Sequence, residues 1–195
     1  MPSYTDLYYN LGGAVGSQDL NPEYSYNYEI GTKYFGANYT AGLSIFRRNG
    51  QDIIDWIRVC DTCDLEASNT TEVNMNGVEA FARFGMSERL QKYSLNSIQI
   101  GFSYLFSDGE DPDYASLYVY DYLKYKVTAQ LSHSFKTLKG LGFSYGLSLQ
   151  ERNGTYTDVN GLEAAYETVL LINAKLAYQY EDAQLFIQAQ NLLDK

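Results

Sequence analysis

The chain has 195 residues, enough for one domain with a sizeable core, and aromatic side chains carry much of its apolar character, with 20 tyrosines and 9 phenylalanines. The net charge of -10 argues against a nucleic-acid partner, because phosphates are bound by Lys and Arg. No run approaches the roughly 18 apolar residues of a transmembrane helix and no signal-peptide pattern is present, but transmembrane strands leave a much weaker trace.

Alternation of apolar with small or polar residues predicts strands along most of the chain. In residues 95–106, Ile98, Ile100 and Phe102 fall on one face and Gln99 on the other. Seven further runs with this alternation are residues 24–34, 39–45, 78–84, 125–131, 143–149, 170–180 and 185–189. The sequence therefore predicts an all-β chain of about eight antiparallel up-and-down strands, with no helix.

Short and long connections alternate between these strands. The short ones include residues 35–38, 136–142 and 181–183, and residues 85–94 form a medium one. The long ones are residues 49–74, predicted to be irregular, and residues 107–123 and 152–165. This asymmetry, with Tyr and Phe near strand ends, is typical of outer-membrane β-barrels with aromatic girdles. In lipid every backbone group must pair within the protein, so such strands belong in a closed ring.

Six short segments stand out along the chain. They are residues 2–9 (PSYTDLYY), 21–23 (NPE), 28–31 (YEIG), 48–56 (RNGQDIIDW), 76–79 (NGVE) and 190–195 (QNLLDK). In the same order, they resemble segments of the TonB-dependent outer-membrane receptors. The loop at 48–56, together with residues 152–156, most resembles the cobalamin-type receptors of Bacteroides-like bacteria.

The resemblance implies a partial transmembrane β-barrel, in which residues 1–195 form one segment of a larger, 22-stranded barrel. The plug domain, the final strand and the TonB box of the family are not found in this sequence. The parent receptor would lie in the cell outer membrane and import a scarce, bulky nutrient, such as cobalamin or a siderophore. Its partners would be outer-membrane lipid, the plug and remaining strands, the TonB complex and the nutrient, with no cofactor.

A second interpretation is a complete small eight-stranded outer-membrane barrel with a structural or adhesion role. Pairing between the first strand, 24–34, and the last strand, 185–189, would favour it. An open sheet would favour a segment of a larger barrel.

Four aromatic residues of the long connections are candidate ligand contacts, because rings offer a large contact area at little entropic cost. They are Trp56, Tyr118, Tyr120 and Tyr156. A girdle at the level of the lipid headgroups explains most of them equally well.

Cys60 and Cys63 lie in the first long connection. Two thiols are too few for a structural zinc site without outside ligands, and an oxidising periplasm or cell exterior favours a local disulfide. Unpaired, inert thiols remain the alternative.

An acidic run offers oxygen ligands for calcium at Asp108, Glu110, Asp111 and Asp113. It lacks the spacing of a known calcium loop and a bidentate Glu at its end, so a solvated loop is favoured and no metal site is predicted.

His133 is the only histidine, and the strand pattern places it near a short-turn end. A Ser-His-Asp site at the opposite rim of a barrel is therefore poorly supported. We expect this chain not to be an enzyme.

Overall fold

The computed structural model describes residues 1–60, 62–86, 94–107, 115–116, 122–135, 138–157 and 162–194. These residues form one short helix and strands of very different length. In chain order the elements are α1 (Tyr4–Tyr8), β1 (Asn10–Leu11), β2 (Ala14–Val15), β3 (Tyr24–Phe35), β4 (Tyr39–Arg58), β5 (Leu65–Gly85), β6 (Leu95–Ser107), β7 (Ala115–Ser116), β8 (Leu123–Ser134), β9 (Leu141–Arg152), β10 (Thr155–Thr157), β11 (Glu163–Ala165), β12 (Val169–Tyr180) and β13 (Ala183–Ala189). No helix among the described residues is long and apolar enough to cross a membrane.

Eight of these strands form a single antiparallel meander in the order β3, β4, β5, β6, β8, β9, β12 and β13. The prediction of eight up-and-down strands is therefore confirmed. We call the end with the connections after β3, β5, β8 and β12 the short-turn end, and the opposite end the long-connection end. The tightest short turn, at Glu181 and Asp182, joins β12 directly to β13.

The strand register separates apolar from polar side chains across the whole sheet. On one side, which we call the outer face, Phe102 lies between Ala80 and Val127 in the ladder. On the other side, the inner face, Ser103 lies between Glu79 and Lys126. Side chains alternate between faces along a strand, so each two-residue step repeats this division. Outer-face residues remain exposed, with Ile30 at 77% and Ile45 at 51%, and an apolar surface of this extent requires a nonaqueous neighbour.

Aromatic rings cluster at both ends of the outer face. At the short-turn end Tyr34 stacks on Tyr39 with ring centroids 5.3 Å apart, and Tyr39 stacks on Phe84 at 6.3 Å. At the long-connection end Tyr104 and Phe106 lie 5.7 Å apart. Rings at both borders of an apolar band are the arrangement of aromatic girdles, whose amphipathic side chains lie at headgroup level.

The prediction that residues 49–74 are irregular is wrong. β4 and β5 are 20 and 21 residues long, and their ladder continues as far as the pair Ile57 and Glu66. We call residues 52–58 and 65–74, the part of this hairpin beyond the rest of the sheet, the arm. Apolar and polar residues do not alternate regularly in this segment, since the adjacent residues Asp55 and Trp56 are both buried, so the alternation did not reveal these strands.

The prediction that the chain has no helix is also wrong, because α1 forms at Tyr4–Tyr8. Its N-terminus has a capping box, in which the Ser3 and Asp6 side chains each accept a hydrogen bond from the other's backbone N–H. A helix of 5 residues is too short to show a helical period in the sequence.

Among the described residues the sheet does not close on itself, since β3 pairs there only with β4 and β13 only with β12. All residues of β3 are exposed. The closed eight-stranded barrel is therefore not favoured, and the sheet has two edges with unpaired backbone groups.

Fully buried side chains are concentrated in the arm. Asp55 is completely buried, and Trp56, Ala67 and Val73 are at most 8% exposed. The packed core of the described residues thus lies beyond the long-connection end of the apolar band, and not between two layers of sheet.

The two faces give a direct test with adjacent residues. We expect Val127→Lys, on the outer face, to destabilise the protein in lipid by about 2–4 kcal/mol, because it places a charge in hydrocarbon. Thr128→Lys, on the inner face, serves as the matched control and should cost about 1 kcal/mol or less by the same reasoning. Urea titration of the protein folded into vesicles measures both. Equal effects of the two substitutions would contradict the assignment of the faces.

Candidate functional site

The N-terminal segment lies against the arm. Residues 3–23, which we call the strap, contain α1 and the hairpin of β1 and β2. β2 pairs in parallel with the start of β5, matching Ala14 with Leu65 and Val15 with Glu66. The Leu65 N–H also donates to the Gly13 carbonyl at 2.8 Å. The strap therefore extends the arm by a short third strand.

Asp6 connects the helix cap to the arm. Its Oδ2 accepts from the Ser3 N–H at 2.8 Å, and its Oδ1 accepts from Trp56 Nε1 at 3.2 Å. Partial burial raises the pKa of Asp6, but hydrogen bonds from the Ser3 side chain, the Ser3 backbone and Trp56 together lower it below its usual 3.8. Asp6 is thus held as the carboxylate that both contacts require.

Trp56 is the central side chain of the arm core. The Tyr9 and Trp56 rings meet in a T-shaped arrangement, with 6.0 Å between centroids and 84° between planes. The exposed fraction of Trp56 is 8%. Its backbone N–H donates to Oδ1 of the buried Asp55 at 2.8 Å. Burial of a large side chain contributes about 2–3 kcal/mol. The structure thus places this candidate ligand contact inside a packed cluster, where little of its side chain is exposed.

Asn69 joins the strap to both strands of the arm. Its Nδ2 donates to the Asp52 carbonyl at 2.6 Å and to the Asn21 carbonyl at 3.2 Å, and its Oδ1 accepts from the Asn21 N–H at 2.8 Å. Glu23 adds another connection between strap and arm by accepting from the Ile54 N–H at 2.9 Å. Sequence reasoning missed Asn69, because one amide in a polar run gives no signal of distant partners.

Cys60 and Cys63 form a disulfide across the tip of the arm, and the Cys63 N–H donates to the Cys60 carbonyl at 3.0 Å. Next to this tip, β7 pairs with Ile57 and Arg58 on the edge of β4 that faces away from β5. The tip is therefore closed covalently and held at both edges, by β2 and by β7.

Tyr156 belongs to a second cluster, on the β10–β11 hairpin. It is 44% exposed, and its ring lies 5.3 Å from that of Tyr166. The Arg152 guanidinium lies 5.2 Å from the Tyr166 ring centroid, in cation–π contact. Strands β5, β6 and β8 separate β4 from β9 in the sheet, so the structure does not place Tyr156 beside Trp56.

Two other groups of candidates lie outside the described residues: the aromatic pair Tyr118 and Tyr120, and the acidic run Asp108, Glu110, Asp111 and Asp113. In the described part of the chain, no three His, Cys, Asp or Glu residues come together as a metal site would require.

His133 lies one residue before the end of β8, at the short-turn end, as the strand pattern predicted. Its ring stacks on Tyr145 with centroids 5.7 Å apart and planes 15° apart. The histidine thus belongs to the aromatic border of the outer face.

The inner face forms an open groove of about 840 Å³ along β3, β4, β5, β6 and β8. Its charged lining consists of Glu29, Lys33, Glu79 and Lys126. The Phe81 ring lies next to Gly42, where a Cβ would collide with it. The groove thus carries charges of both signs among small, polar and apolar residues.

Comparisons with known proteins agree with this geometry. A family model described as TonB dependent receptor-like, beta-barrel matches residues 1–192. A search of curated proteins gave no significant match.

Three solved structures illustrate the shared fold. The siderophore receptor PirA from Pseudomonas aeruginosa is 18% identical with a TM-score of 0.63, and the match covers 100% of this chain and 31% of PirA. The FrpB iron transporter from Neisseria meningitidis is 15% identical with a TM-score of 0.62, and the match covers 94% of this chain and 28% of FrpB. The copper transporter OprC is 17% identical with a TM-score of 0.69, and the match covers 100% of this chain and 30% of OprC. The chain thus spans about a third of the length of these proteins. All three are named as receptors or transporters, and none of the three is named for cobalamin. The resemblance to cobalamin-type receptors therefore stays a prediction.

The lowered pKa of Asp6 gives a pH dependence with a definite sign. The carboxylate stabilises the docked strap fully above the unfolded-state pKa of about 3.9, and this contribution is lost as the pH falls through the lowered value. We expect Trp56 emission, taken as the difference between the native protein and Trp56→Phe, to shift to the red only below about pH 4. Asp6→Asn keeps an acceptor oxygen and should remove most of this dependence. An equal shift in Asp6→Asn would contradict the assignment.

The disulfide is open to chemical test. On intact cells, Cys60 and Cys63 should react with a membrane-impermeant maleimide only after reduction, because both sulfurs are bonded. The variant with both cysteines changed to serine gives the background. Full labelling without reductant would show that the thiols are free.

Proposed function

Since the chain belongs to the TonB-dependent receptor-like β-barrel family, we propose that it is a lipid-embedded segment of an outer-membrane receptor that imports a scarce, bulky nutrient. The observation that carries this proposal is the division of one open meander into an exposed apolar outer face and a charged inner groove. A soluble sheet would cover the apolar face with a second layer. In a transmembrane barrel that face meets lipid, and the polar face lines the lumen.

The unpaired edges of β3 and β13 support a larger assembly. In hydrocarbon each unpaired backbone group costs several kcal/mol, so spanning sheets have no open edge. We propose that other strands of the same receptor pair with both edges, and that residues 1–195 are one barrel segment. A plug domain would then face the inner groove and relay energy from the TonB complex.

The alternation of connections supports one orientation. Outer-membrane barrels have short turns on the periplasmic side and longer loops outside. The arm, the strap and the β10–β11 hairpin, all at the long-connection end, would therefore lie outside the cell. This is the side from which a nutrient arrives.

Tyr156, Tyr166 and Arg152 are the ligand contacts we propose at that end. Two rings and a guanidinium offer a flat surface and a fixed positive charge, which suit a metal chelate with planar or anionic groups. The proposed nutrient is iron in a siderophore, copper or cobalamin. The names of PirA, FrpB and OprC support the first two classes.

Uptake by the intact receptor tests the proposal. Cells whose only route for the nutrient is this receptor should accumulate radiolabelled iron–siderophore, copper or cobalamin when the TonB complex is functional, and should fail to do so without it. Uptake of none of the three, or uptake that is independent of TonB, would contradict the proposed function.

The ligand contacts have their own test. Tyr156→Ala should weaken nutrient binding about tenfold, equal to about 1.4 kcal/mol, because it removes one ring of the cluster. Tyr180→Ala, at the short-turn end of β12, is the matched control and should leave binding unchanged. Equal affinities for both variants and the native receptor would remove Tyr156 from the site.

A further inference from the structure

We propose that the strap is a latch for the arm. Residues 3–23 are ordered only while they contact the arm, they detach from it as a single unit, and the arm is free to move once they have detached. This inference concerns a conformational device of the fold. It does not depend on which nutrient the receptor carries.

The strap has little order of its own. α1 has 5 residues and none of them is buried, and β1 and β2 have 2 residues each. Isolated helices and hairpins of this size do not persist in water. What holds the strap is its contact with the arm, through the β2–β5 pairing, the Asp6–Trp56 hydrogen bond and the two hydrogen bonds between Asn69 and Asn21.

The parts of the strap are locked to one another around Gly16. Its N–H donates to the Tyr9 carbonyl at 2.7 Å, and the Ser17 N–H donates to the Asp6 carbonyl at 2.8 Å. A Cβ on Gly16 would lie 2.7 Å from that Asp6 oxygen and 3.0 Å from the Leu7 carbonyl carbon. The segment after the hairpin thus packs directly on the backbone of α1, so the helix and the hairpin cannot leave the arm separately.

The arm in turn lacks support from the sheet. The ladder between β3 and β4 ends at the pair Tyr24 and Gln51, and the ladder between β5 and β6 ends at Met75 and Ser107. Beyond these pairs the arm is a two-stranded hairpin, and an isolated hairpin of this kind is only marginally stable in water. The strap and β7 are the described elements that pair with its free edges.

Opening of the strap would therefore free the arm to move relative to the sheet. Asp52 is the point at which the arm would bend, because its φ of 52° departs from extended backbone and no ladder partner lies opposite it. The arm continues β4 and β5, whose inner faces line the groove through Ser44 and Glu79. A released arm could lean across the end of the groove, whereas a latched arm is held in line with its strands.

Hydrogen–deuterium exchange on the intact receptor in outer-membrane vesicles tests the latch without any nutrient. Gly16→Ala inserts a methyl group where the strap meets its own helix and removes no polar contact. We expect exchange to rise at least tenfold in the strap and also in arm residues 53–58 and 65–70, while β6 and β8 stay unchanged. Gly146→Ala is the matched control, because its Cβ would meet only the Ala129 carbonyl oxygen at 3.8 Å.

Two results would overturn the latch. In the first, Gly16→Ala speeds exchange in the strap alone and leaves the arm protected. In the second, Gly146→Ala produces the same pattern, so that the effect is general. If Gly16→Ala does not fold, Asp6→Ala removes the Asp6 half of the helix cap and the contact with Trp56 without adding bulk and leaves the hydrogen bonds between the arm strands intact, so it should raise exchange in both regions together. Unchanged arm exchange in Asp6→Ala would equally contradict the proposal.

Discussion

Backbone hydrogen bonding in a medium without water is the constraint on which the rest of this structure depends. A strand that crosses hydrocarbon has its N–H and C=O groups paired with neighbouring strands, and its side chains alternate between two environments. In this chain that requirement extends one ladder across eight strands, from β3 to β13. Phe102 and Ser103 are neighbours in sequence, yet one lies among apolar side chains and the other beside Glu79 and Lys126.

The arm follows different physics because it extends beyond the apolar band. Water competes there for every hydrogen bond, so order requires a local core and side-chain contacts. The arm has both in Trp56, buried beneath the strap, and in Asn69, whose amide reaches the strap and the other arm strand. The same chain thus organises its sheet by strand pairing and alternation of side chains, and organises the arm by a small packed cluster.

The sequence predicted the eight strands of the meander, but it missed the continuation of β4 and β5 into the arm and the helix α1. Period-two alternation located all eight strands of the meander, with 95–106 predicted for β6 at Leu95–Ser107. The six short patches that resemble TonB-dependent receptors identified the family, which the family match over residues 1–192 confirms. In the arm, Asp55 and Trp56 are both buried although they are adjacent in a strand, so no alternation marked it as β structure. α1 depends on a cap and on contacts about 50 residues away, which a local pattern cannot contain.

In the proposed receptor, one face of the meander meets lipid and the other meets water. Spin labels placed singly at residues 98 to 103 of β6, in the receptor inserted into a bilayer, measure this through their accessibility to oxygen and to a water-soluble nickel chelate. Labels at 98, 100 and 102 should favour oxygen, and labels at 99, 101 and 103 should favour nickel, with a period of two. Accessibility without alternation, or nickel preference at all six positions, would contradict a lipid-embedded sheet.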